Sequence, residues 1–311
     1  MTTAGAMDRS SPGDLERRIT RRVGQAIADF GLIEEGDRIL VGVSGGKDSL
    51  TLLRILDRMR RRSPVRYTLI AGTLDQGYPG YDPAPLKAWY EANGYEYRIV
   101  RQEAEDLEGK LASGVTLCAF CSRQRRNFLY ALAEEVGATK IALGHHADDL
   151  IETLLLNLFF GGQIRTMAPR RRSDNGRHVV IRPLAYVWEA DLARYAREAG
   201  LPVIPCGCPM CGSVNLQRQR MKWLLGHLES CHPGVKETLL RSMANVRVDE
   251  LLVPPARLAA GITRGAFRRG TGGRLPLVPA PEEAPAASSR GAAPEPDVPA
   301  PAAAARAVPA P

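Results

Sequence analysis

"VGVSGGKDSL", residues 41–50, is the stretch from which the rest of the chain can be read. The run leading into it, RILVGV (38–43), is short and apolar, as a buried strand is. The run leaving it, DSLTLLRILDRM (48–59), spaces its apolar residues as an amphipathic helix does. Between the two, Gly45 and Gly46 let backbone N–H groups converge, and the helix N-terminus adds partial positive charge. A strand–turn–helix of this kind is an anion site. It is not the common GxxxxGK[ST] loop, which would need glycine where Val41 stands and Ser or Thr where Asp48 stands. Nor is it GxGxxG.

Outward from this turn, strands and helices alternate. A helix is expected from Pro12, with Ser11 as its cap and Leu15, Ile19, Val23 and Ile27 on one face. Strands are expected at 66–75, 95–100 and 139–144, with helices at 84–94, 121–137 (ended by Gly137) and 148–159. This alternation predicts an α/β fold with a doubly wound, mostly parallel sheet. After Gly161 come a further strand and turn, a helix at 189–200, a cysteine cluster and a basic helix at 215–228. Residues 1–11 read as a loose lead-in and 12–253 as the folded part. Residues 254–311 are rich in Pro and Ala with almost no large apolar side chain, so they are expected to stay disordered.

The chain has 311 residues and a formal charge of +8, from 42 Lys+Arg against 34 Asp+Glu. Arginine dominates that excess, and its planar fork suits phosphate. Neither a signal-peptide h-region nor an apolar run long enough to span a membrane is seen, so a cytosolic protein is expected. In that compartment close cysteines indicate metal or redox chemistry rather than disulfides. CAFC (118–121) and CPMC (208–211) are both CxxC pairs, and Cys206 adds a third thiol to the second group. Their separation is too long for a zinc ribbon, so spacing alone leaves zinc and an iron–sulfur cluster both open. Cys231 reads as structural or incidental.

Two further stretches sit at strand ends, where ligands bind in open sheets. GTLDQG (72–77) brings Asp75 there. LGHHADDLIET (143–153) brings His145, His146, Asp148 and Asp149. Asp148 and Asp149 are candidate Mg²⁺ ligands, and Asp148 alternatively a helix N-cap. The paired histidines are as readily packed or solvated as chemical.

Ser44, Gly45, Gly46, Lys47, Asp48 and Ser49 fit the pattern SGGxDS, which resembles the pyrophosphatase loop of ATP-dependent adenylating enzymes. With CAFCSRQRR and PMCGSVNLQRQ, the chain over about residues 12–250 resembles the tRNA 2-thiocytidine synthetases of that superfamily. The resemblance implies that the loop holds the pyrophosphate part of ATP. Asp75, by its strand-end position, is expected at the nucleotide as well. Asp48 and Asp149 are expected to act in catalysis, as is Arg125, which four residues after Cys121 is placed to stabilise charge near the cluster or the nucleotide. The resemblance also implies a 4Fe-4S cluster on Cys118, Cys121 and Cys211, with one iron open. It implies tRNA as partner, modified at C2 of cytidine 32 in the anticodon loop, a cysteine desulfurase as sulfur donor, and a homodimer. One departure matters: PCGCPMCGS carries two residues more than the usual Pro-Cys-x-x-Cys-Gly-Ser, which leaves Cys206 and Cys208 both open as the non-ligand cysteine.

The basic runs 123–126, 169–172 and 216–222 are candidate tRNA contacts, although a charge run is commonly a solvated face. Two rival readings remain. Lysidine synthetase would need no CxxC pairs, whereas some 2-thiouridine synthetases share the three-cysteine cluster, and CGSVNLQR is the discriminator. A zinc-stabilised RNA-binding protein without catalysis would have no need of intact Ser44, Asp48 and Ser49.

Overall fold

The computed structural model describes residues 12–75, 77, 80–101, 117–173, 176–205 and 217–252. Ser11, Cys206, Cys208, Cys211 and the Pro/Ala-rich segment lie outside them, as do the side chains of Cys118 and Cys121.

Six strands form one sheet: β1 (Asp37–Gly42), β2 (Tyr67–Asp75), β3 (Glu96–Arg101), β4 (Lys140–Ala142), β5 (Arg170–Arg172) and β6 (Val179–Ile181). Their order is β3-β2-β1-β4-β6-β5. Every neighbouring pair is parallel except β5 with β6. The mostly parallel sheet is therefore as expected, with one antiparallel edge. That edge, β5, is the basic run of three arginines, which carries no apolar alternation to mark it as a strand. From β1 the chain steps outward through β2 to β3, then crosses to the other side of β1 to lay down β4. Ligands bind where such an order reverses, outside the carboxyl ends of the strands, and here that point lies between β1 and β4.

The helices are α1 (Pro12–Phe30), α2 (Lys47–Arg60), α3 (Ala84–Ala92), α4 (Leu117–Glu135), α5 (Ala147–Phe160), α6 (Glu189–Glu198), α7 (Gln217–Cys231) and α8 (Val235–Ser242). Successive strand residues point to opposite faces, and β1 shows the consequence. Ile39 and Val41 pack in the cluster that holds Leu15, Ile19, Leu50, Leu53 and Leu192 of α1, α2 and α6. Leu40 packs in the other, with Ile70, Leu129, Leu132 and Ile141. Both faces of the central strand are thus covered, which is why it reads as an unbroken apolar run. Gly72 of β2 makes the second packing possible, since a Cβ there would lie 2.9 Å from both Leu132 Cδ2 and Leu40 Cδ1.

A third apolar cluster joins α5 to α7 through Ile151, Leu155, Met221 and Leu225, with Leu239 and Leu240 of α8 against it. Helix α4 begins at Leu117, four residues before the expected start, so Cys118 and Cys121 fall in its first two turns. Arg247 opens a second compact unit, of which one 3-10 turn, Val248–Glu250, is described.

Candidate functional site

Strand β1 ends at Gly42, and the chain turns through Val43–Gly46 into α2. Gly45 takes φ +83°, a conformation that side chains disfavour, and a Cβ there would sit 3.2 Å from Ile204 Cβ. Glycine is required twice over at that position. Gly46 is the N-cap of α2 and, having no side chain, makes no capping bond. The first N–H groups of a helix have no intrahelical acceptor, so this uncapped end is open to an anion. Ser49 shapes the turn from within: its Oγ accepts from the Ser44 N–H at 3.1 Å and donates to the Gly46 carbonyl at 3.0 Å. Ser44 Oγ lies 3.4 Å from Ser49 Oγ and accepts from the Gly46 N–H at 3.4 Å.

The turn is one wall of a cavity of about 410 Å³. Ser44, Gly46, Asp48 and Ser49 line it from the turn; Leu143, Gly144, His145 and Asp149 from the end of β4 and the start of α5. Gly72, Leu74 and Tyr81 line it from the β2 side, Arg125, Phe128 and Leu129 from α4, and Ile204 completes it. Gly144 lies directly on α2, where a Cβ would meet Ser49 N at 3.0 Å and the Asp48 carbonyl carbon at 3.1 Å. The cavity is therefore polar along the turn and apolar between β2 and α4, a division suited to a polyphosphate joined to a flat base.

Of the sequence candidates, Ser44, Gly46, Asp48, Ser49, Arg125 and Asp149 come together at this cavity. Asp75, Lys47 and Asp148 lie elsewhere. Asp75 sits at the end of β2, buried, and accepts from the Gly77 N–H at 2.8 Å. Lys47 bonds Asp48 Oδ2 at 3.2 Å and Glu189 Oε1 at 3.1 Å. Asp148 is buried, with Oδ2 accepting from the Glu189 N–H and Oδ1 from Lys236 Nζ, both at 2.8 Å. It is not the N-cap of α5. His146 fills that place, in a reciprocal box with Asp149: His146 Nδ1 accepts from the Asp149 N–H at 3.4 Å, and Asp149 Oδ2 from the His146 N–H at 3.1 Å.

The two histidines thus part company. His146 is a cap, whereas His145 lines the cavity. Arg182 Nε donates to His145 Nδ1 at 3.3 Å, and the same guanidinium donates to the Ala168 carbonyl at 2.6 Å. Arginine has no lone pair to offer, so Nδ1 accepts and the ring proton of neutral His145 sits on Nε2. Burial and the Arg182 charge push the His145 pKa down to about 4. Burial likewise brings Arg182 to about 10, helped by the charge of Arg171.

The carboxylates differ as well. Burial raises the Asp48 pKa, opposed by His146 and Lys47. Among the described residues Asp48 Oδ1 is buried without a hydrogen-bond partner. Such an atom is costly unless something cationic completes it. Asp149 Oδ1 accepts from Arg218 Nη1 at 3.3 Å, and Arg218 also reaches Glu152 Oε2 at 3.0 Å. Burial opposes ionisation of Glu189, but Lys222 and Lys47 outweigh it and hold its pKa at about 2.

Glu189 and Arg182 are functional candidates that no motif announces: Glu189 opens an ordinary amphipathic helix, and Arg182 is indistinguishable in sequence from the many arginines that face solvent. Arg218 belongs to PMCGSVNLQRQ and to the basic run 216–222, but its contacts with Asp149 and Glu152 have no signal in the sequence. Among the described residues no three potential metal ligands gather into a cluster. Cys231, expected to be structural or incidental, is exposed, 3.9 Å from His227 Nε2.

An uncapped glycine turn at the switch point of a parallel sheet, lined by Ser44, Asp48 and Ser49, defines a class, and residues 15–204 match the PP-loop domain family. The tRNA-cytidine(32) 2-sulfurtransferase of Geobacter metallireducens is 50% identical over 237 residues, covering 76% of this chain and 92% of that protein. The one from Vibrio vulnificus (strain YJ016) is 50% identical over 234 residues, covering 75% of each chain. The chain belongs to the tRNA-cytidine(32) 2-sulfurtransferase family. Among solved structures, the U34-tRNA thiolase NcsA from Methanococcus maripaludis, with its 4Fe-4S cluster, superimposes with a TM-score of 0.62 at 22% identity. That match covers 75% of this chain and 79% of NcsA and establishes a shared fold. Among the described residues no helix is long and apolar enough to cross a membrane.

Proposed function

We propose that this chain thiolates tRNA: it adenylates the C2 oxygen of cytidine 32 at the expense of ATP and exchanges that oxygen for sulfur. The observation that carries the reading is the joining of two walls. The anion-binding turn at Ser44–Ser49 faces Arg125 of α4 across one cavity. Cys121 and Cys118 precede Arg125 on α4 by four and seven residues, about one and two helical turns. Cys206, Cys208 and Cys211 fall in 206–216, outside the described residues, and the described residues before and after that stretch contact the cavity's lining. Before it, the N–H of Ile204, a lining residue, donates to the Gly45 carbonyl at 2.9 Å. After it, Arg218 grips Asp149.

The residues suit the groups this reaction needs. The N–H groups at the start of α2, with Ser44 and Ser49, would hold the departing pyrophosphate. Asp48, whose Oδ1 has no hydrogen-bond partner among the described residues, and Asp149 are the cavity carboxylates fitted to Mg²⁺. Asp75 and Gly45 would shape the nucleotide pocket from behind. Lys47 would exchange its carboxylate partners for a phosphate oxygen. His145 presents an Nε2–H donor to the adenylated group, and Arg125 would balance the charge that develops there.

Cys118, Cys121 and Cys211 are a thiolate donor set suited to a 4Fe-4S cluster, with Cys206 or Cys208 as the spare. When bound, such a cluster supplies an open iron that can hold the sulfur. The cytidine O2 attacks the α-phosphorus and pyrophosphate leaves. A sulfide-level sulfur, supplied through a cysteine desulfurase and a reductant, then adds at C2, and AMP departs with the oxygen. The catalytic unit on this reading is residues 12–253, acting in the cytoplasm as a homodimer.

The test is nucleoside mass spectrometry of tRNA from a deletion strain. Loss of 2-thiocytidine, restored by the wild-type gene and not by Cys211→Ala, is the expected result. Unchanged 2-thiocytidine ends the proposal. Loss of 2-thiouridine instead would move the chain to the uridine enzymes. A pure protein that lacks an iron–sulfur chromophore but holds zinc would favour the RNA-binding alternative.

A further inference from the structure

The last turn of α5 and the loop after it expose apolar side chains that the chain's own core does not use. Leu158 is 40% exposed, Phe159 58%, Phe160 59% and Ile164 62%. A continuous run of this kind marks an interaction surface. It is also built rather than loose. Asn157 Nδ2 donates to the Thr153 and Arg165 carbonyls at 2.8 and 3.1 Å, and Asn157 Oδ1 accepts from Arg165 Nε at 3.3 Å. The Gly161 and Gln163 N–H groups both reach the Asn157 carbonyl at 3.0 Å. Gly161 permits this closeness, since a Cβ there would lie 3.0 Å from that same oxygen. The two phenyl rings stand edge to face, 6.3 Å apart.

Charge and position say what the surface meets. From Thr153 to Ser173 the sequence has no carboxylate and carries Arg165, Arg170, Arg171 and Arg172. Exposed aromatics beside arginines suit splayed bases and their phosphates. Helix α5 starts at the cavity with Asp149, and at 1.5 Å per residue Phe160 stands about 16 Å further along its axis. A polynucleotide with one base in the cavity is long enough to reach these rings with its neighbours.

We propose that Phe159 and Phe160 are a stacking platform for single-stranded bases of the tRNA substrate, outside the nucleotide held in the cavity. This rests on the tRNA reading above. The test replaces both rings twice, in the full-length chain prepared with its cluster. F159L/F160L keeps apolar area and removes the aromatic faces; F159Y/F160Y keeps the faces. Unmodified tRNA binding is measured by fluorescence anisotropy at fixed salt, ATP binding by calorimetry, and mass by analytical ultracentrifugation. Stacking predicts that the leucine pair weakens tRNA binding at least about ten-fold, with ATP affinity and mass unchanged, and that the tyrosine pair binds as wild type. Wild-type tRNA binding by the leucine pair would overturn the platform and leave the thiolation reading standing. A fall in mass along with the loss would overturn it in favour of a contact between copies. A wild-type protein that binds no tRNA would bring down the thiolation reading itself.

Discussion

Lys47 Nζ lies 3.1 Å from Glu189 Oε1, and Lys222 Nζ lies 2.7 Å from Glu189 Oε2. One carboxylate on α6 therefore ties the lysine of the glycine turn to α7, the helix that follows the second cysteine group. Lys47 and Glu189 are only 28% and 25% exposed, whereas Lys222 is exposed. The charged form of Glu189 is strongly favoured, so the bridge is intact at any working pH.

Glu189→Gln should loosen this tie. Despite burial, the folded pKa of Glu189 is depressed to about 2, well below the ordinary carboxylate value, by Lys222 and Lys47. Its stabilising contribution is therefore present above about pH 4.5 and is lost as the pH falls toward 2. After solvent screening the contribution is about 1–2 kcal/mol. Urea unfolding of the two proteins between pH 6 and 3 should show a gap that narrows on acidification. At neutral pH the variant should bind ATP several-fold more weakly, because Lys47 loses its brace. Equal ATP affinity in calorimetry would mean that the bridge serves the fold alone.

His145 should act as a neutral donor. With a pKa near 4, it is uncharged throughout the useful range. The thiolation rate should then show no inflection of its own near pH 6.5. His145→Gln, which keeps a donor near the Nε2 position, should retain more activity than His145→Ala, which should lose on the order of a hundred-fold. The linkage sign is opposite to that of a paired histidine. The unfolded imidazole binds a proton near pH 6.5 and the folded one does not, so stability falls as the pH drops from 6.5 to 4. Replacing His145 should abolish that part of the acid sensitivity, which is at most about 3 kcal/mol. A rate profile that titrates at 6.5 and vanishes in the glutamine variant would refute the neutral assignment.

Gly144→Ala tests the closeness of β4 to the turn. The added methyl would lie 3.0 Å from Ser49 N and 3.2 Å from Ser49 Cα, both backbone atoms that cannot swing aside. The start of α2 must shift by a few tenths of an ångström. A loss of about 1–3 kcal/mol in stability is expected, the cost of overpacking, together with at least a ten-fold loss in ATP affinity. Retained affinity would show that the N–H groups of α2 do not hold the phosphates.

Much of this architecture was legible in advance because its signals are local. The alternation of apolar runs predicts the parallel sheet, and Gly45 betrays its turn through the positive φ only glycine takes readily. What sequence reading missed has no local signal. Three consecutive arginines form β5 because β6 offers them a ladder. Helix α8 is only Val235–Ser242, too short to stand out by periodicity. Lys47 meets Glu189, and His145 meets Arg182, only after β4, β6 and α6 have been brought together. The different surroundings of Asp148 and Asp149 are of the same kind: adjacent residues on a helix point about 100° apart, and what each then meets is set by distant elements.

That divergence gives the last prediction. Asp148 is buried and spends its oxygens on the Glu189 N–H and Lys236, so it joins α5 to α6 and α8. Asn in its place keeps one acceptor for the N–H but leaves Lys236 uncompensated, and Asp148→Asn should cost about 2–3 kcal/mol of stability. Asp149 lines the cavity and has a half-exposed arginine, Arg218, as its charged partner. Asp149→Asn should therefore leave stability within about 1 kcal/mol while reducing thiolation at least a hundred-fold and raising the Mg²⁺ concentration needed for half-maximal rate. The two variants, measured side by side by urea unfolding and by Mg²⁺-dependent thiolation, should show opposite profiles. If Asp148→Asn shifts the Mg²⁺ requirement and Asp149→Asn does not, the metal-facing carboxylate has been assigned to the wrong neighbour.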